Sequence, residues 1–127
     1  MIDVDLWKEL TLKASNARMN AWAPYSDFKV GASILAGEKI YSAANVENSS
    51  YPVGMCAERG ALSAAISDGN RTIDALVLVA GPLITPCGMC RQALWEFGDI
   101  PILLVSEDES REYTCTLSEL LPKPFGL

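Results

Sequence analysis

Apolar residues recur at helical spacing over the first twenty-odd positions. Leu6, Leu10, Ala14, Ala17 and Ala21 share one stripe, with Lys8, Lys13 and Asn16 off it. This predicts a helix that ends at Ala23-Pro24-Tyr25-Ser26, because the residue before a proline avoids helical geometry. Phe28 to Leu35 reads as a strand, Ala36-Gly37-Glu38-Lys39 as a turn, and Ile40 to Val46 as the hairpin partner. Glu47 to Met55 is polar and rich in turn residues. Cys56 to Ser67 then predicts a second helix, with Ala61, Leu62, Ala65 and Ile66 on its apolar side and Asp68-Gly69-Asn70 closing it.

Ile73 to Ala80 is almost continuously apolar, the pattern of a central strand covered on both faces. After a loop from Gly81 to Pro86, Gly88 to Phe97 predicts a third helix ending at Gly98. Pro101 to Val105 and Glu112 to Cys115 read as two further strands, and Thr116-Leu117-Ser118-Glu119 has the spacing of a capping box. The order α-β-β-α-β-α-β-β-α predicts an α/β fold: one mixed five-stranded sheet with helices on its faces, the whole of 1–127 forming a single domain. Parallel neighbours joined through the second and third helices would obey the right-handed crossover rule.

Composition narrows the function classes. Half of the 127 residues are hydrophobic and a fifth are charged, which excludes a disordered chain. The net charge of −6 argues against a nucleic-acid groove, whose affinity comes from cationic contacts to phosphates. Histidine is absent, so no imidazole serves as ligand, base or triad member, and acid–base work near neutral pH falls to a perturbed carboxylate, a thiol or a metal-bound water. No apolar run reaches membrane-spanning length. The acidic start Met1-Ile2-Asp3-Val4-Asp5 does not resemble a signal peptide, so a cytoplasmic location with reduced thiols is expected.

The candidate chemistry lies in Cys56-Ala57-Glu58-Arg59 and Pro86-Cys87-Gly88-Met89-Cys90-Arg91-Gln92. Both segments sit where a loop becomes a helix, and free N–H groups with the positive dipole end favour thiolate there. Cys87 and Cys90, three apart, can face one point, and Cys56 from the other helix would supply a third sulfur. Three protein ligands and one open corner is the pattern of catalytic zinc. Glu58 can then reach the water without ligating the metal and shuttle its protons. Three thiolates on a dication leave a charge of −1, which Arg59 would offset by donating to the sulfurs.

These motifs resemble the zinc site of the cytidine deaminases, specifically the small homotetrameric type; a signature with a non-ligand Glu is a known feature of zinc deaminases. The resemblance extends through Ala23-Pro24-Tyr25-Ser26-Asp27-Phe28-Lys29-Val30-Gly31-Ala32, Asn45-Val46-Glu47-Asn48, Tyr51-Pro52 and Leu120-Leu121-Pro122, nearly the whole chain. It implies the three-layer fold of that family, Zn2+ on Cys56, Cys87 and Cys90, and Glu58 as proton shuttle for attack of water at C4 of a cytosine ring. It further implies Asn45 and Glu47 on the ribose, the Ala57 N–H on the base carbonyl, and Phe28 packed on the base. Ser49, Tyr51 and Phe125 would contribute across a subunit interface of a homotetramer. The implied substrate is cytidine, and deoxycytidine with it, in pyrimidine salvage; another 4-substituted pyrimidine nucleoside or a nucleoside antibiotic is the alternative.

Plainer readings stand beside these. Cys-x-x-Cys alone divides between a redox pair and a metal site, and a structural zinc protein would also use such cysteines; Cys56-Ala57-Glu58 shifts the balance to catalytic zinc. Cys115 reads as a small core or edge residue. Asn45 and Glu47 are also residues that bond turn backbone or face solvent. Phe28 alternates with Val30 as sheet core would, and Phe125 is placed to cover the protein's own surface. Trp7, Trp22 and Trp95 read as packing, and Glu107-Asp108-Glu109 as a solvated turn.

Overall fold

The computed structural model describes residues 2–127; Met1, where the expected domain begins, lies outside the described residues. Helix α1 (Val4–Arg18) starts at Asp3, whose carboxylate accepts the Leu6 N–H at 2.8 Å and so satisfies an amide that the first turn leaves free. The helix stops well short of Pro24, and the cause is long-range. The Trp22 N–H donates to the Asn45 carbonyl at 3.0 Å and the Trp22 carbonyl accepts from the Glu47 N–H at 2.8 Å. The chain after Met19 is thereby drawn into a bridge with Val46 instead of a further helical turn.

Strands β1 (Val30–Ala36), β2 (Lys39–Ala44), β3 (Ala75–Ala80), β4 (Pro101–Ser106) and β5 (Glu112–Thr116) form one sheet in the order β2-β1-β3-β4-β5. The β1–β2 hairpin turns at Gly37, whose φ of +63° is a conformation that costs other residues. Strands β1 and β3 are buried along their whole length, as the continuous apolar run of the latter predicts. Helix α2 (Ala57–Ser67) leads from β2 to β3, and α3 (Gly88–Trp95) from β3 to β4. Only β3 and β4 are parallel neighbours. Because β1 pairs antiparallel with β2 on one edge and with β3 on the other, the crossover through α2 spans β1, and the expectation of parallel neighbours fails there. Helix α4 (Leu117–Leu120) starts at Thr116, whose Oγ1 accepts the Glu119 N–H at 3.4 Å.

Helices cover both faces. On one, α1 buries Leu10 and Ala14 against Leu35, Val77 and Val79. On the other, Ala61 and Ala65 of α2, Leu94 of α3 and Leu117 of α4 close over Ala32, Ile34, Leu78 and Ile102. Contact between α1 and β1 is close: a Cβ on Gly31 would lie 1.9 Å from the Ala14 carbonyl oxygen. Beside it Ser33, fully buried, donates to the Leu10 carbonyl at 2.6 Å. Trp7 and Trp95 pack partly buried against the two cores. Trp22 does not; it is 60% exposed, because its backbone bridge to Val46 holds it in the loop layer above the sheet end.

Candidate active site

Cys56 and Cys87 are the N-cap residues of α2 and α3, both with extended backbone, and neither side chain caps its helix. Each sulfur is therefore free to turn toward the other helix. The Sγ atoms of Cys56 and Cys87 are 3.8 Å apart and those of Cys87 and Cys90 are 3.5 Å apart. All three lie within 4.8 Å of one another, and among the described residues they form the one group of three or more potential metal donors. Sulfurs held about 2.3 Å from a tetrahedral zinc are about 3.8 Å apart, so the Cys56–Cys87 and Cys87–Cys90 spacings are close to those of a zinc site.

The electrostatics agree. The Cys56 thiol is pulled down to about 5, chiefly by its contact with Cys90, with Arg59 and Cys87 assisting and burial opposing. Cys90, fully buried, is pushed up by that same Cys56 contact and by burial. One thiolate among these sulfurs opposes the next, so a complete thiolate set calls for a cation. Arg59 supplies part of it. Burial works against its charge, but its contacts with Cys90 and Cys56 outweigh that and hold its pKa up. Its Nε is buried without a hydrogen-bond partner. The chemistry and spacing of the three sulfurs fit Zn2+.

Glu58 follows in the first turn of α2 and is only 4% exposed. Burial pushes its carboxyl up, and the nearby Cys56 thiolate adds to the rise. It is the one buried carboxylate beside the sulfurs and does not join their donor group. Ala57, fully buried, opens α2 with an N–H that has no intrahelical acceptor. Cys115 is buried in β5 and stands outside the sulfur group, which leaves the trio open at one corner.

An open cleft of about 530 Å³ adjoins Cys56; Asn45, Glu47, Tyr51 and Met55 are among its walls, and its size suits a small ligand. The two polar residues expected to hold a sugar also build the wall. Asn45 donates from Nδ2 to the Phe28 carbonyl at 2.8 Å and accepts the Val30 N–H on Oδ1 at 2.9 Å. Glu47 accepts the N–H groups of Tyr25 and Ser26 on Oε1, at 2.9 and 3.1 Å, and the Ser26 hydroxyl on Oε2. That hydroxyl in turn accepts the Phe28 N–H at 3.0 Å. These donors, the Ser26 hydroxyl first, hold the Glu47 carboxyl below its ordinary range.

Phe28 therefore precedes β1 rather than lying within it; it is 38% exposed and lines a neighbouring groove with Arg18 and Pro82. Tyr51 opens a single 3-10 turn (Tyr51–Val53), is 79% exposed, and meets Tyr25 edge-to-face with ring centroids 6.3 Å apart. Ser49 is exposed in the same loop, and Phe125 projects its ring from the C-terminal segment; neither lines the cleft. Sequence reading assigned nothing to Ser26, which joins Glu47 to Phe28, although a serine in the loop four residues before β1 is a turn-forming signal. Nor did it assign roles to Arg91 and Gln92, whose partners are backbone carbonyls and, for Arg91, also the Thr85 hydroxyl, which no sequence pattern identifies.

Residues 6–106 match the family model described as the cytidine and deoxycytidylate deaminase zinc-binding region. A cytidine deaminase of Sporosarcina psychrophila is 44% identical over 125 residues, covering 94% of this chain and 90% of that protein. The crystal structure of a cytidine deaminase from Burkholderia pseudomallei superimposes with a TM-score of 0.88 at 37% identity, covering 93% of this chain and 98% of that one. A blasticidin-S deaminase of Bacillus cereus is 33% identical over 115 residues, covering 80% of this chain and 81% of that protein.

Proposed function

Since the chain belongs to the cytidine and deoxycytidylate deaminase family, we propose that it is a zinc-dependent hydrolase that converts cytidine, and deoxycytidine with it, to the uracil nucleoside and ammonia. The observation that carries this reading is the sulfur trio at two facing helix N-termini with the buried Glu58 beside it. Cys56, Cys87 and Cys90 hold the ion, and Arg59 donates toward the sulfurs and tempers their charge. When bound, zinc acts as a Lewis acid that makes a water nucleophilic near neutral pH.

Glu58 moves the protons. Its carboxylate accepts one from the attacking water as the new oxygen–C4 bond forms, and delivers it to N3 of the ring. It then accepts the remaining hydroxyl proton and hands it to the exocyclic amino group. The C4–N bond breaks with its electron pair on nitrogen, ammonia leaves, and C4 keeps a carbonyl. A carboxyl whose pKa is raised by burial suits both directions of transfer. The Ala57 N–H, at the positive end of α2, binds the base carbonyl. Asn45 and Glu47 bind the ribose from a wall they themselves brace, and Phe28 packs on the base. A neutral, flat nucleoside needs such an apolar slot with few polar groups, and an acidic chain is no obstacle to it.

Tyr51 belongs with the exposed Tyr25 and Val46 in the walls of the cleft, and the exposed Trp22 is bridged to Val46. An apolar rim of this kind is what a subunit interface covers, and in this reading residues 1–127 form one catalytic domain of a homotetramer, with Ser49, Tyr51 and Phe125 reaching neighbouring sites. Its place is pyrimidine salvage in the cytoplasm. The similarity to a blasticidin-S deaminase favours a second reading, deamination of a nucleoside antibiotic at the same ring position. Ultraviolet absorbance of the zinc-replete protein with cytidine, deoxycytidine and blasticidin S separates the two. Loss of the cytidine band is expected; consumption of the antibiotic with cytidine untouched would transfer the assignment to the second reading.

A further inference from the structure

Two consecutive side chains of the cysteine-bearing helix α3 are spent on the C-terminal segment. Arg91 donates from its guanidinium to the Leu120 carbonyl at 2.7 Å, to the Pro86 carbonyl at 2.6 Å and to Thr85 Oγ1 at 2.9 Å. It thus ties the residue preceding Cys87 and the end of α4 to one rigid fork. Gln92 donates from Nε2 to the Phe125 carbonyl at 3.0 Å. Between these anchors Pro122 and Pro124 fix two φ angles, and Lys123 sits at φ +53°, so little slack separates Leu120 from Phe125. The Phe125 ring is 69% exposed, while its backbone carbonyl is held.

We propose that Gln92, supported by Arg91, is a positioning residue: it keys the C-terminal segment to the helix that carries Cys87 and Cys90, and so fixes where the Phe125 ring is presented to a nucleoside. The proposal rests on the functional reading above, in which Phe125 meets substrate in a neighbouring subunit. Its physical content is separable. The segment is stiff, its last anchor is one amide hydrogen bond, and without that bond the ring is free to swing about Pro124. The metal ligands lie on the other side of the latch, held by Arg91 through Pro86, so loosening Gln92 leaves the sulfurs in place.

Gln92→Glu tests this in the zinc-replete enzyme, since it keeps the side-chain length but points an acceptor at the Phe125 carbonyl. Backbone amide exchange across residues 121–127 is expected to rise about fivefold, the worth of one net hydrogen bond, with exchange in α3 and zinc content unchanged. The KM for cytidine is expected to rise by about the same factor, with kcat within about twofold of the parent. Gln92→Lys, which restores a donor, is expected to return both toward the parent values. In a Phe125→Ala background, Gln92→Glu is expected to add nothing to KM, because its effect runs through the ring. Unchanged exchange in Gln92→Glu, or a KM effect that persists without the Phe125 ring, would overturn the proposal. If the parent turned over no cytidine, the functional reading would fall, and the exchange comparison would still decide whether Gln92 holds the segment.

Discussion

Glu58 is suited to the proton-carrying role proposed for it by where it is buried rather than by its acidity alone. Most carboxylates of this chain are at the surface, whereas Glu58 is enclosed beside three sulfurs and its pKa is pushed up by that enclosure. Glu58→Gln keeps the shape and loses the proton carrier. It is expected to retain zinc and to lower kcat by roughly 10²- to 10⁴-fold, the usual contribution of a positioned acid–base group, which steady-state kinetics beside metal analysis will show. The place of Glu58 beside the sulfurs, in the first turn of α2, was legible from its position two residues after Cys56. The bracing bonds of Asn45 and Glu47 were not: those to Phe28, Val30, Tyr25 and Ser26 close loops between distant residues, and a sequence shows only that such residues suit turns.

At the scale of elements, the two helix starts that carry the cysteines were readable, since a loop ending in Pro-Cys-Gly and an apolar run opening at Cys-Ala-Glu-Arg are local signals. The end of α1 was not readable, because Ala21 continues the apolar stripe while Trp22 is captured by the loop around Val46. The closeness of α1 to β1 was equally hidden. It depends on Gly31, and Gly31→Ala is expected to cost roughly 3 kcal/mol, in the manner of an overpacked core, as a fall in the urea midpoint with an unchanged slope. The turn between β4 and β5 gives a pH signature. Asp108 is held at about 2, first by the Ser110 hydroxyl and then by the Ser110 N–H and the Ser106 hydroxyl. A carboxyl depressed on folding stabilises above its unfolded pKa, near 3.9, and that stabilisation is lost as pH falls through the folded value. The stability gap between the parent and Asp108→Asn is therefore expected to shrink as pH falls from about 5 toward about 2, and a gap constant with pH would refute this account of the turn.

Across the whole molecule, the sheet sets the site by bringing two helix N-termini together at one end, while α1 seals the opposite face. No helix among the described residues is long and apolar enough to cross a membrane. The exposed aromatic and aliphatic residues of the cleft walls, Tyr25, Val46 and Tyr51 among them, are the large-scale feature that a single chain leaves unexplained, and the homotetramer proposed above would cover them. Sedimentation of the zinc-replete protein is expected to return the mass of four chains; a monomer would remove the roles proposed for Phe125 and Tyr51 in neighbouring sites. A homotetramer is expected from the sequence only through family resemblance, because the residues of an interface and those of a surface differ in their partners rather than in their pattern.

The proposed activity requires a cation held by Cys56, Cys87 and Cys90 with one corner open to water. Adding zinc back to chelator-stripped protein while following cytidine loss by ultraviolet absorbance tests this directly. Activity is predicted to vanish on stripping and to return in proportion to added zinc, levelling off at about one ion per chain. Turnover that survives complete removal of the metal would contradict it.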